Sequence, residues 1–154
     1  MAGSLFPNAK IHSYEPNPKI HSFLKKNLTQ VSAILFSEAV GAEAGMGHSK
    51  DLGESRLGVF QKGGDIPMVA FTEVLNRIGG SIDLLKLDCE GGEWDIFENP
   101  VPFKNVMTIR MEYHLVDGKT LEDLKKAADR IEFKIVKLEE NSGFGIVWME
   151  NAAC

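Results

Sequence analysis

The chain has 154 residues, 44% of them hydrophobic and 25% charged, with a net charge of −5. This suits one soluble domain, residues 1–154, with a sizeable core. The acidic balance, with no long lysine- or arginine-rich run, excludes a nucleic-acid binder held by phosphate contacts, and no apolar stretch approaches the ~20 residues of a membrane-spanning helix.

Ile11-His12-Ser13-Tyr14 is predicted as a short strand, stopped by Glu15-Pro16-Asn17-Pro18. Pro18 suits the first turn of a helix capped by Asn17, with Ile20, Phe23, Leu24 and Leu28 on one face. Val31 to Phe36 forms a second strand, ending near Glu38-Ala39-Val40-Gly41. Residues 41–65 are glycine-rich and weakly patterned, in keeping with a loose hairpin. Met68-Val69-Ala70 is strand-like, and Thr72 is predicted to cap a helix through Ile78 that Gly79-Gly80 closes. Ile82 to Leu87 is predicted as a buried strand. A short helix carrying Trp94, Ile96 and Phe97 ends before Pro100. Val106 to Met111 is a further strand, leading into Glu112-Tyr113-His114. Thr120 caps an amphipathic helix with Leu121, Leu124, Ala128 and Ile131 inward. Phe133 to Leu138 and Phe144 to Met149 flank a five-residue loop and make an antiparallel pair. Alternating strands and helices give an α/β fold with a largely parallel sheet and an antiparallel C-terminal hairpin.

The strand from Ile82 runs into Asp88-Cys89-Glu90-Gly91-Gly92-Glu93, three carboxylates and two glycines in six residues. Open α/β sheets build their sites at the carboxyl ends of strands, and crowding Asp88, Glu90 and Glu93 there costs repulsion. That cost points to a cation, a ligand's hydroxyls, or a proton to be taken. The competing reading assigns Glu90 and Glu93 to the first turn of a helix, where negative charge is favoured. No histidine or further acid is clearly spaced to complete a metal site, so none is assigned. Lys86 either pairs with an acid such as Glu112 or leans out at the strand end. Glu112 and His114, two apart on an extended chain, point to the same side. A histidine of near-neutral pKa suits a general base for a hydroxyl; the alternative is a histidine closing the loop before Val116. Cys89, between acids, is not expected to be reactive.

Four blocks in order, Ile11 to Pro18, Glu38 to Gly41, Lys86 to Glu93 and Met111 to His114, resemble the FkbM-type methyltransferases. The resemblance implies a Rossmann-like, class I, S-adenosylmethionine-dependent O-methyltransferase acting on a hydroxyl of a small molecule or sugar. It implies that Glu15 holds the cofactor's ribose, that Glu38 and Ala39 lie near its adenine, and that Asp88 orients the methyl donor or accepts a proton. With hydroxyl methylation as the reaction, the residue chemistry makes Asp88 and His114 the expected catalytic pair and Glu90, Glu93 and Glu112 the expected substrate contacts. Such folds open with a strand, a glycine-rich loop and a helix before the ribose-binding acid. Only fourteen residues precede Glu15, too few for a crossover connection of about a dozen residues plus its strand. The first strand and helix are therefore expected to be missing. That expectation leaves a fragment or missing N-terminal segment, a sheet that closes up by pairing the strands ending at Glu15 and Asp88, or a homodimer that supplies edge pairing. A catalytically inactive remnant or binding module is the alternative function. Two cysteines, Cys89 and Cys154, with no signal-like apolar start, point to a reducing, cytoplasmic setting.

Overall fold

In the computed structural model of the chain, residues 7–28, 31–51 and 57–153 are described, without the side chains of 48–51 and 57–62. The elements in chain order are β1 (Ile11–Tyr14), α1 (Pro18–Asn27), β2 (Ala33–Phe36), β3 (Ala39–Gly41), β4 (Gly45–Asp51), β5 (Leu57–Lys62), β6 (Ile66–Ala70), α2 (Phe71–Ile78), β7 (Ile82–Leu87), α3 (Glu93–Ile96), a 3-10 turn (Val101–Asn105), β8 (Val106–His114), α4 (Leu121–Arg130), β9 (Phe133–Asn141) and β10 (Phe144–Asn151). None of the described helices is long and apolar enough to cross a membrane.

The strands form a pair β1-β2, a sheet ordered β7-β8-β10-β9 and a sheet ordered β3-β6-β4-β5. The expectation of a mostly parallel sheet is corrected. Parallel pairing is confined to β1-β2, β3-β6 and β7-β8, while β10 runs antiparallel to both β8 and β9, and β4 to both β5 and β6. A short connection explains the β9-β10 pair: the few residues joining them permit only a hairpin, whereas parallel neighbours need a crossover. The direct pairing of β1 with β7 is not formed among the described residues.

Local chemistry accounts for most elements. Asn17 caps α1 by accepting the Lys19 N–H at 2.9 Å, and Thr120 and Asp123 form a reciprocal capping box at the start of α4. α2 starts two residues earlier than predicted: Ala70 is its cap position, and Thr72 lies inside the first turn. Gly79 ends it in the left-handed region at φ 116°, where glycine alone carries no Cβ penalty. The apolar face of α1 is not buried, and Phe23 is 64% exposed. β4 and β5 supply the loose hairpin expected across residues 41–65.

The core centres on Phe103, whose ring lies 5.0, 5.4 and 6.3 Å from those of Phe71, Phe97 and Phe133. α4 closes it with Leu124, Ala128 and Ile131, all buried. Asn151, at the end of β10, is buried and donates to the Val106 carbonyl at 2.9 Å, locking β10 to the start of β8. β7 is not the buried strand predicted. Ile82 and Leu87 are inside, but Leu84 is 48% exposed, because β8 is its single pairing neighbour among the described residues.

Candidate functional site

β7 and β8 are parallel neighbours, with Leu87 opposite Met111. Their carboxyl ends therefore emerge side by side. Asp88, Glu90 and Glu93 follow β7, and Glu112 and His114 finish β8, so the two blocks meet as the topology requires. Alternation along β8 sends Ile109, Met111 and Tyr113 into the core and puts Glu112 and His114 on the opposite face.

The turn between β7 and α3 is tight. Glu90 and Gly91 both have positive φ, 51° and 104°; the glycine takes this freely, while a glutamate there is held by its surroundings. The turn brings Glu90 Oε2 to 3.3 Å from His114 Nε2. Glu112 Oε1 stands 4.0 Å from the same nitrogen.

Glu93 is fully buried. Its Oε2 accepts the Gly91 N–H at 2.9 Å. Its Oε1 accepts the His114 N–H at 2.8 Å and lies 3.4 Å from His114 Nδ1. A buried carboxylate is tolerable only with such partners. Glu93 thus sits behind His114, its oxygens committed to backbone, rather than on the open face with Glu90 and Glu112. His114 is itself mostly buried, with a side chain 12% exposed. Its ring stacks near Phe144 at 6.5 Å, and its carbonyl accepts the Trp94 indole N–H at 2.8 Å. The Glu93 carboxylate, aided by Glu90 and Glu112, raises the His114 pKa above 6.5 despite the opposing effect of burial.

Asp88 lies at the exposed edge, 3.2 Å from Lys86 Nζ. Lys86 therefore leans outward and pairs with Asp88, not with Glu112. One oxygen or nitrogen from each of Asp88, Glu90 and His114 falls within 4.8 Å of the others, so the premise that no histidine completes an acidic set is corrected. Within the chain these charges are already met, Asp88 by Lys86 and Glu90 by His114. Burial, with the Glu93 carboxylate adding to it, pushes the Cys89 thiol up to about 12, which disfavours the reactive thiolate.

The other expected residues lie on separate strands. Glu15 follows β1, half-buried, and accepts the Asn17 N–H at 2.7 Å. This turn aims one oxygen at the backbone and leaves the other outside that bond. Glu38 follows β2 and is paired with Arg77 of α2, a partner the sequence does not announce because 39 positions separate them. The Arg77 guanidinium also lies 5.2 Å from the centre of the Phe36 ring, on which Tyr14 stacks at 4.6 Å. Ala39 is buried in β3. An open cavity of about 270 Å³ is lined by Gly91, Trp94, Asp117 and Lys119 among others, and by none of Asp88, Glu90, Glu112 and His114, with Lys119 Nζ 5.1 Å from the Trp94 ring centre. Trp94, expected in helix packing, faces this cavity together with Asp117 and Lys119, which no sequence motif singles out. The positions of both next to a glycine-containing strand end were the available signal.

Residues 5–140 match the family model described as the methyltransferase FkbM domain. The chain belongs to the FkbM methyltransferase family. The four sequence blocks that carried the resemblance all fall within the matched span. The family implies a class I-like fold, here realised with mixed sheets. Searches of curated proteins and of solved structures gave no match.

Proposed function

We propose that this FkbM-family chain is an S-adenosylmethionine-dependent O-methyltransferase acting on a hydroxyl of a small molecule or sugar. The observation that carries the reading is His114 Nε2, held at the joined ends of β7 and β8 beside two partly exposed carboxylates, Glu90 and Glu112.

The chemistry of the available donors fits the cofactor at two points. Ribose hydroxyls and an amino-acid ammonium group are hydrogen-bond donors that carboxylates accept. Glu15 keeps one oxygen outside its bond to Asn17, and Asp88 is exposed at its strand end. Glu15 would hold the ribose and Asp88 the methionine end. Glu38 fits less well, since Arg77 already occupies its carboxylate; Ala39, buried in β3, offers no exposed side chain to the adenine. When bound, the cofactor supplies an electrophilic methyl group on a sulfonium, which departs as a neutral thioether.

The chain's own residues prepare the acceptor. A substrate hydroxyl enters at His114 Nε2, in the place Glu90 Oε2 occupies. Nε2 accepts its proton, which raises the nucleophilicity of the oxygen. Glu90 and Glu112 accept neighbouring hydroxyls and fix their direction, and Asp88 contributes negative charge at the cleft edge. Holding oxygen and methyl in line supplies most of the rate. The cavity beside Trp94 is the proposed place for the rest of the acceptor.

The test is transfer of a labelled methyl group from S-adenosylmethionine to a panel of polyols and glycosides, with His114→Gln in parallel. Transfer lost in the variant supports the reading. Equal transfer by both proteins removes His114 from it, and no transfer by either favours an inactive scaffold of methyltransferase origin.

A further inference from the structure

We infer that Glu93 is a positioning residue that holds His114 as the Nδ1–H tautomer, so that Nε2 alone exchanges a proton at the cleft. The catalytic meaning of this rests on the proposed O-methyltransfer; the pairing itself does not.

Glu93 cannot act on substrate directly. It is 0% exposed, and its two oxygens accept backbone N–H groups from both sides of the site, Gly91 at 2.9 Å and His114 at 2.8 Å. These bonds pin the carboxylate between the β7–α3 turn and the end of β8. The oxygen that takes the His114 N–H also faces Nδ1 of the same residue at 3.4 Å. Nδ1 is buried and forms no hydrogen bond to another group.

A 3.4 Å separation is longer than a fully formed N–H···O bond, yet it decides the tautomer. A bare nitrogen lone pair set against a buried, unscreened carboxylate is repulsive, and an N–H there is attractive. Glu90 Oε2 sets the same preference at Nε2 from 3.3 Å, but its carboxylate is partly exposed and screened by solvent, whereas Glu93 is fully buried, so the proton of the neutral ring stays on Nδ1. Because a histidine's reactive nitrogen is set by the bond the other one makes, Nε2 becomes the atom that gains and loses a proton. Nε2 is also the nitrogen that faces Glu90 and Glu112. Phe144 and the Trp94 N–H to the His114 carbonyl restrain the ring and backbone, so Glu93 fixes orientation as well as tautomer.

The measurement is long-range proton–nitrogen correlation on the full chain labelled at histidine nitrogen, at a pH where His114 is neutral. His114 is assigned among the four histidines by the signal lost in His114→Gln. The expected result is a protonated Nδ1 and a bare Nε2. An Nε2–H tautomer in the unmodified chain overturns the inference. In Glu93→Gln the negative charge against Nδ1 is gone whichever way the amide turns, so the Nδ1–H fraction is expected to fall while the circular dichroism spectrum stays native. An unchanged tautomer ratio in a folded variant also overturns it. If that variant does not fold, the tautomer of the unmodified chain decides. None of these signals requires methyl transfer or cofactor binding, so failure of the proposed activity leaves this test standing.

Discussion

One oxygen of Glu93 accepts the backbone N–H of His114 at 2.8 Å and stands 3.4 Å from the Nδ1 of the same residue. A single buried carboxylate thus fixes both the strand end and the imidazole that leaves it. The acidic block after β7 and the histidine after β8 behave as one unit through this contact.

Glu93→Gln is expected to lower stability by about 1–3 kcal/mol. The amide has one acceptor oxygen for two buried backbone N–H groups, and one of them is left unsatisfied. Urea denaturation monitored by tryptophan fluorescence checks this. A loss under a few tenths of a kcal/mol would show that the Gly91 and His114 N–H groups find other partners.

His114 gives a pH dependence of definite sign. Its folded-state pKa is raised above 6.5 by Glu93, with Glu90 and Glu112 assisting. The folded chain therefore binds the proton more tightly than the unfolded one. The associated stability is fully present below 6.5 and is lost as pH rises through the raised folded value. Denaturation midpoints for the unmodified chain should fall across that interval, and those of His114→Gln should fall less. Methyl transfer, which needs neutral Nε2, should run the opposite way and rise over the same interval.

The hydrophobic centre is Phe103. It is fully buried and touches the rings of Phe71, Phe97 and Phe133. Phe103→Ala is expected to cost about 3–5 kcal/mol. Calorimetric melting measures it, and a cost below ~1 kcal/mol would mean that the core relaxes into the cavity.

Gly145 is demanded by space rather than by backbone angle. A Cβ there would run into the Glu139 carbonyl oxygen and the Tyr113 hydroxyl. Tyr113 is fully buried and donates to that carbonyl at 3.3 Å. Gly145→Ala should destabilise by about 1–3 kcal/mol or more, read from the shift in thermal midpoint.

Much of this was legible in the residues. The Thr120 cap, the inward face of Leu124, Ala128 and Ile131, and the C-terminal hairpin follow from local chemistry and periodicity, and the structure has them. The meeting of the Asp88–Glu93 block with His114 was also readable, because parallel strands bring their ends together. What was not legible depends on neighbours far along the chain. The exposure of Leu84 reflects pairing on one edge of β7, which a run of apolar residues does not reveal. Glu38 reads as an open strand end until Arg77 folds over it. Glu93 reads as a helix-start charge or a substrate contact, and only the packing of α3 against β8 puts it behind the imidazole. The mixed pairing shows only when the positions of β4 and β10 between their neighbours are known.

The proposed methyl transfer stands on an FkbM-family cofactor site that works in this chain. Calorimetric titration of the purified 154-residue chain with S-adenosylhomocysteine, beside Glu15→Ala and with melting curves to confirm that both are folded, tests it most directly. Micromolar binding by the unmodified chain and at least about tenfold weaker binding by the variant, a loss of about 1.4 kcal/mol, is the predicted result. No binding by a well-folded chain would contradict the account and leave a methyltransferase-derived scaffold.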